Sequence, residues 1–155
     1  MTIQVDTREK PHAIELITKT FDRRGVQWFR SKVPVGDYIS LDNARLSIDR
    51  KQNLLELCSN TTQDLERFIA ELERAEQMGI QLIILVEHGG GIETLEDVMY
   101  WKNPRLKDSP LAVSGERLYR KLSAIGKAHN VRFEFCTKAQ TGNRIIELLG
   151  GGAGA

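Results

Sequence analysis

The stretch "VPVGDYISLDNARLSIDRK", Val33 to Lys51, decides how this chain is read. Two apolar runs flank Asp42, Asn43 and Ala44, and each carries a lone aspartate, Asp37 in the first and Asp49 in the second, with Lys51 two places on. Runs of this kind across a polar turn predict a β-hairpin. A three-residue loop at Asp42 to Ala44 makes Leu41 face Arg45, which sets Asp37 opposite Asp49 with Cβ atoms roughly 5 Å apart. Lys51 then shares a face with Asp49, because side chains alternate along a strand. Two carboxylates so close repel unless one is protonated or a cation lies between them, and a hard divalent ion accepts an oxygen from each.

The apolar phasing leaves the register open. Apolar positions are odd in the first strand (Val33, Val35, Ile39, Leu41) and even in the second (Leu46, Ile48), and a slip of one residue would send the two aspartates to opposite faces. Two readings stand. In one, the sheet is covered on both faces or bulged, and the acids share a metal-binding face. In the other, Asp37 belongs to a Gly-Asp turn, and Asp49 and Lys51 are ordinary strand-edge charges.

Outward from the hairpin the pattern is α/β. "TIQV" predicts a strand, and Pro11 suits a helix's first position, with Ile14, Ile17 and Phe21 at helical spacing before Gly25. "VQWFRSKVPVGDYISL" reads as extended, broken at Pro34 and Gly36. A Ser-Asn-Thr-Thr cap region precedes a helix with Leu65, Phe68, Ile69 and Leu72 on one face and acids on the other. "IQLIILVE" is the continuous apolar run of a strand covered on both faces, expected at the sheet's centre, and Gly89 to Gly91 end it. After a loop from Asn103 to Pro110 come a helix through Leu118, Leu122 and Ile125, the strand "VRFEF" and the helix "GNRIIELL". The order β-α-β-β-α-β-α-β-α implies an α/β fold.

The length of 155 residues predicts one compact domain over 1–149, and the "GGGAGA" of 150–155 reads as a flexible Gly/Ala tail. Hydrophobic (41%) and charged (28%) contents are those of a soluble protein, and no apolar run approaches the roughly 20 residues that span a bilayer, so a membrane partner is not expected. Cys58 and Cys136 lack partners at ligand spacing, and "MTIQVDTREK" lacks a secretory pattern, so a reducing, cytoplasmic setting is expected. Charge is uneven: residues 1–100 hold 12 Lys/Arg against 17 Asp/Glu, the rest 10 against 4. That basic last third either tracks a phosphate backbone or is a solvated face. Within it the loop "NPRLKDSP" is the better DNA-contact candidate.

"VDTRE" (Val5–Glu9), "GDY" (Gly36–Tyr38) and "IDRK" (Ile48–Lys51), followed by a helix and "LIILVE", resemble the XPF-type nuclease domain of the PD-(D/E)xK superfamily. The likeness spans nearly the whole chain before the tail and is closest in kind to compact, stand-alone bacterial and phage members. It implies a restriction-endonuclease-like fold, a central mixed β-sheet flanked by helices. It also implies an Mg²⁺- or Mn²⁺-dependent endonuclease acting on branched, flapped or junction DNA in repair or recombination, leaving a 5′-phosphate and a 3′-hydroxyl. Carried over by position, Asp37 and Asp49 are the metal carboxylates, Asp6 completes the metal shell, Lys51 is the companion lysine, and Glu9 joins the catalytic set. Arg8 and Arg50, with Lys102, Arg105 and Lys107 of the basic loop region, are the DNA-contact candidates. A homodimer or a protein partner would supply DNA specificity, since this length has no room for a tandem helix-hairpin-helix domain.

The chain departs from the signature twice within the site. Asp49 stands where glutamate is usual, and Leu55 stands at the last acid's position, leaving Glu56 or Glu66 as substitutes. A catalytically silent DNA-binding or dimerisation module is therefore the alternative, and an acidic surface for a basic protein a third. Glu87 and His88 read as a strand-end polar pair. The glycine run after them lacks the Gly-Lys-Ser/Thr of a phosphate loop.

Overall fold

The computed structural model describes residues 1–150; residues 151–155 of the expected tail lie outside the described residues. Six strands form one mixed sheet in the order β2-β1-β3-β4-β5-β6. They are β1 (Thr2–Val5), β2 (Gln27–Arg30), β3 (Tyr38–Ser40), β4 (Asn43–Lys51), β5 (Gln81–Glu87) and β6 (Arg132–Cys136). Five helices cover it: α1 (Glu15–Arg23), α2 (Leu54–Asn60), α3 (Leu65–Gln77), α4 (Gly115–His129) and α5 (Thr141–Leu149). β1 and β2 run parallel, as do β4, β5 and β6, while β3 is antiparallel to both neighbours. The α/β mixed sheet flanked by helices is thus the architecture expected. Among the described residues no helix is long and apolar enough to cross a membrane.

Both faces of the sheet are buried, which resolves the conflict of phasing. Ile3, Val5, Tyr38, Ile48, Ile83 and Leu85 pack against α1 and α5. Val35, Leu82, Ile84, Val86, Phe133 and Phe135 pack against α2, α3 and α4. β5 lies between β4 and β6 with Leu82 to Glu87 all buried, as its unbroken apolar run requires.

The hairpin keeps the expected register but not the expected turn. Tyr38 pairs with Ile48 and Ile39 with Ser47, as a three-residue loop predicts, yet Ser40 pairs with Asn43 across a two-residue turn at Leu41 and Asp42. A register shift between Ile39 and Ser40 absorbs Ala44 to Leu46 as a bulge on β4. Three other expectations shift. Pro11 opens a turn in which the carbonyl of Lys10 accepts from Ala13 and Ile14, and α1 begins only at Glu15. The long extended stretch divides into β2 and β3. The short helix α2 was not anticipated; the Asn53 side chain caps it by accepting from the Glu56 N–H at 2.9 Å, and it buries Leu54, Leu57 and Cys58.

Gly36 sits at the crossing of the segment before β3 over β4, with φ of 81°. A Cβ there would lie 2.3 Å from Ser47 Oγ, whose hydroxyl donates to the Val35 carbonyl at 2.6 Å. The left-handed backbone and the close approach both demand glycine. Gly36→Ala is expected to cost about 2–4 kcal/mol of unfolding free energy from strain and overpacking, measured by urea denaturation.

Candidate metal centre

Strand alternation divides the end of β4 between two environments. Ile48 packs with α1 and α5 and Arg50 reaches the start of α5 through Glu87, while Asp49 and Lys51 turn toward Glu71 of α3. A polar cavity of about 260 Å³ at this end of the strand is lined by Asp37, Asp49 and Lys51 together with Arg8, Glu9, Arg50, Gln52, Glu56 and Glu71. The shared face for Asp37, Asp49 and Lys51 is therefore realised.

Asp37 is held across the hairpin by three backbone contacts. Its N–H donates to the Ile48 carbonyl at 2.7 Å, its carbonyl accepts from Asp6 at 2.8 Å, and its Oδ2 accepts from the Arg50 N–H at 2.8 Å. Burial, then the charges of Asp49 and Glu9, push its carboxyl well above the usual carboxylate range. Asp49 is buried, and its Oδ2 lies 3.3 Å from the Lys51 ammonium yet has no hydrogen-bond partner among the described residues. Lys51 stands 5.9 Å from the centre of the Phe68 ring, a cation–π arrangement. Burial works against its charge, but Asp49, Glu56 and Glu71 outweigh burial and raise its pKa, so it is an ammonium at neutral pH.

Behind β4 a buried ion network fixes this arrangement. Arg50 Nε and Nη2 donate to the two carboxylate oxygens of Glu9 at 2.9 and 2.8 Å. Its Nη1 bonds Glu87, whose other oxygen accepts from the Thr141 hydroxyl at 2.8 Å at the start of α5. Glu87 is thus part of the scaffold rather than a strand-end polar pair. Its signal in the sequence was an acid closing a fully apolar strand.

The structure separates the remaining candidates. Asp6 is fully buried but does not line the cavity; one oxygen accepts from the Val33 N–H at 2.9 Å and the other from Arg8 N and Nε at 3.1 and 2.5 Å. Burial opposes its ionisation, yet the Arg8 guanidinium and these N–H groups hold its carboxyl below the usual range. It therefore anchors the segment around Val33 to the end of β1, with both oxygens hydrogen-bonded. Arg50 is only 8% exposed, its guanidinium engaged by Glu9 and Glu87, and it borders the same cavity. Arg8 keeps an exposed side chain at the cavity rim. Lys102, Arg105 and Lys107 are exposed around the 3₁₀ turn Pro104–Lys107, outside the cavity lining and without ion-pair partners among the described residues. Glu66 is exposed on α3, whereas Glu71, grouped by sequence with the acidic outer face, reaches the cavity.

The donor set fits a hard divalent cation. Its oxygens are carboxylate, one is buried without a hydrogen bond, and the mutual repulsion that raises the Asp37 pKa is what a cation would relieve. Among the described residues no three His, Cys, Asp or Glu side chains converge as direct ligands. The fit is to an ion that takes one or two carboxylates and keeps several waters, the habit of Mg²⁺.

The overall fold is shared with solved structures. XPF from Aeropyrum pernix aligns with a TM-score of 0.66 at 20% identity, covering 99% of this chain and 65% of that one. XPF from Aeropyrum pernix in complex with DNA aligns with a TM-score of 0.69 at 18% identity, with the same coverage. The chain thus spans about two thirds of the length of these XPF chains, and their likeness defines its fold class. By the match of the ERCC4 domain to residues 5–149, the chain belongs to the ERCC4 domain family. No curated protein matches it.

Two outcomes are expected. Arg50→Leu leaves Glu9 and Glu87 buried and unpaired and is expected to lower unfolding free energy by about 3–5 kcal/mol in urea titrations. Asp37 has a native pKa raised above its unfolded value, so its contribution is fully present below the unfolded pKa and is lost as pH rises through the native one. Asp37→Asn is therefore expected to raise the melting temperature of the metal-free protein at pH 8, by roughly 2–4 °C per kcal/mol relieved. The gain should shrink toward pH 4, as followed by thermal melts in EDTA.

Proposed function

We propose that the chain is an Mg²⁺- or Mn²⁺-dependent DNA endonuclease acting on branched, flapped or junction DNA. The observation that carries this reading is the buried Oδ2 of Asp49, which makes no hydrogen bond and is set beside Asp37 and Lys51 in one cavity. Membership of the ERCC4 domain family and the likeness to an XPF chain in complex with DNA support it.

Asp37 and Asp49 hold the ion. When bound, it polarises the scissile phosphate, activates water and neutralises charge on the leaving oxygen. Lys51, kept protonated by its acidic neighbours, hydrogen-bonds a non-bridging phosphate oxygen and balances charge as the phosphorus becomes five-coordinate; it does not take a proton. Glu9 acts through Arg50, and Asp6 through the segment at Val33, to keep these groups aligned. Arg8 at the rim suits a phosphate neighbouring the scissile one. Lys102, Arg105 and Lys107 carry sequence-independent backbone contact. Hydrolysis leaves a 5′-phosphate and a 3′-hydroxyl. A second copy or a protein partner adds DNA specificity, and the setting is the DNA of a bacterial or phage-infected cell.

One observation favours a second reading, a silent DNA-binding module: Leu55 packs toward the core where the resembling signature has an acid. A panel of flap, fork, four-way-junction and single-stranded oligonucleotides with each metal separates the two. Cleavage is expected, falling on the order of 100-fold or more in Asp37→Asn and in Asp49→Asn. Activity that persists in either variant removes that carboxylate from the metal site, and DNA binding without cleavage by the unsubstituted chain selects the silent module. DNA affinity should fall steeply with salt, and replacing Lys102, Arg105 and Lys107 with alanine should reduce the log–log slope by about 1 for each phosphate no longer neutralised.

A further inference from the structure

The acid missing at position 55 is not restored by α2. Leu55 turns toward the core and borders a separate hollow with Cys58 and Leu111. Glu56 does line the acidic cavity, but its Oε2 accepts from the Gln52 N–H at 2.7 Å, which ties it to the start of α2.

A different element supplies a carboxyl. Phe68, Leu72 and Ala75 form the buried stripe of α3, and Glu71, one turn past Phe68, stands at its border. The same turn that sets the Phe68 ring beside the Lys51 ammonium therefore brings Glu71 to the cavity of Asp37 and Asp49. Glu71 is half-buried there and has no hydrogen-bond or ion-pair partner among the described residues. Independently, Asp49, more than nine-tenths buried and in the lining of this cavity, has an oxygen, Oδ2, that makes no hydrogen bond among the described residues. An ion that satisfies that oxygen brings its own waters, and Glu71, in the same cavity with neither oxygen engaged, is placed to accept from them.

We infer that Glu71 is the third acid of the site, a positioning residue on α3 that accepts hydrogen bonds from the waters of an ion held by Asp37 and Asp49, in place of the acid absent at position 55. This rests on the metal-dependent reading above. Burial and the nearby charge of Asp49 raise the Glu71 pKa, and a cation at Asp49 removes that second cause, so ion binding also favours the carboxylate acceptor.

Mn²⁺ titration of the metal-free full chain, by calorimetry and by paramagnetic resonance of the free ion, tests this without reference to cleavage. Asp49→Asn is expected to abolish tight binding, Glu71→Gln to weaken it by about 10–100-fold, Glu71→Asp to weaken it less, and Glu56→Gln to leave it near the unsubstituted value. Melting in EDTA is expected to be unchanged or raised by Glu71→Gln, because a like charge is removed from beside Asp49. Unsubstituted Mn²⁺ affinity in both Glu71 variants, with Asp49→Asn defective, overturns the role of Glu71 and leaves the metal site standing. Unsubstituted affinity with a lowered EDTA melting temperature makes Glu71 a structural residue and also overturns it. No Mn²⁺ binding by the unsubstituted chain removes both.

Discussion

The geometry of this domain depends on one buried guanidinium. Arg50 holds the end of the β1 loop through Glu9 and the end of β5 through Glu87, and Glu87 in turn takes the hydroxyl of Thr141 where α5 begins. Two carboxylates on one cation leave an excess negative charge in the interior, and the N-terminal end of α5 offers partial positive charge to offset it. A lysine could not replace this residue, because only a planar fork serves two acids lying in different directions. Since adjacent residues of a strand point to opposite faces, fixing Arg50 on the α5 side fixes Asp49 and Lys51 on the α3 side.

The two faces of β4 then differ in electrostatic character. Behind the strand every charged group is hydrogen-bonded to an opposite charge, which is what makes burial tolerable. In front of it, the Asp37 pKa is raised and Asp49 keeps an oxygen that makes no hydrogen bond, though the Lys51 ammonium lies 3.3 Å away. Satisfied charge serves as scaffold and unsatisfied charge marks the place where something must bind, consistent with perturbed carboxyls gathering at functional sites.

Much of this was legible because it rests on periodicity. The apolar run of β5 and the core stripe of α3 follow from side-chain spacing, whereas the pairing that brings Asp37 to Asp49 was one of two readings that apolar phasing left open. The turn did not follow from spacing, since a bulge at Ala44 to Leu46 produces the same inner pairing as a three-residue loop. Helix α2 is too short for a period to show, and its start rests on one cap, Asn53. Within the site, Asp6 and Arg50 sit in motifs that mark them as functional, but which way a motif's side chains point is decided by neighbours distant in sequence, Val33 and Glu87 here. Glu71 illustrates the reverse. It has no motif, and only the docking of α3 beside Lys51 distinguishes it from the acids around it.

The bulge in the hairpin has a consequence for how the chain can change. Leu41 to Arg45 are exposed, and the register shift lies between that tip and the Tyr38–Ile48 pair. Extra or missing residues at the tip are taken up where the ladder is already irregular, before they reach the pairing that aligns the acids. The tip is therefore a natural graft point: a longer loop, carrying contacts of its own, can be spliced there while the spacing of Asp37 and Asp49 stays as it is.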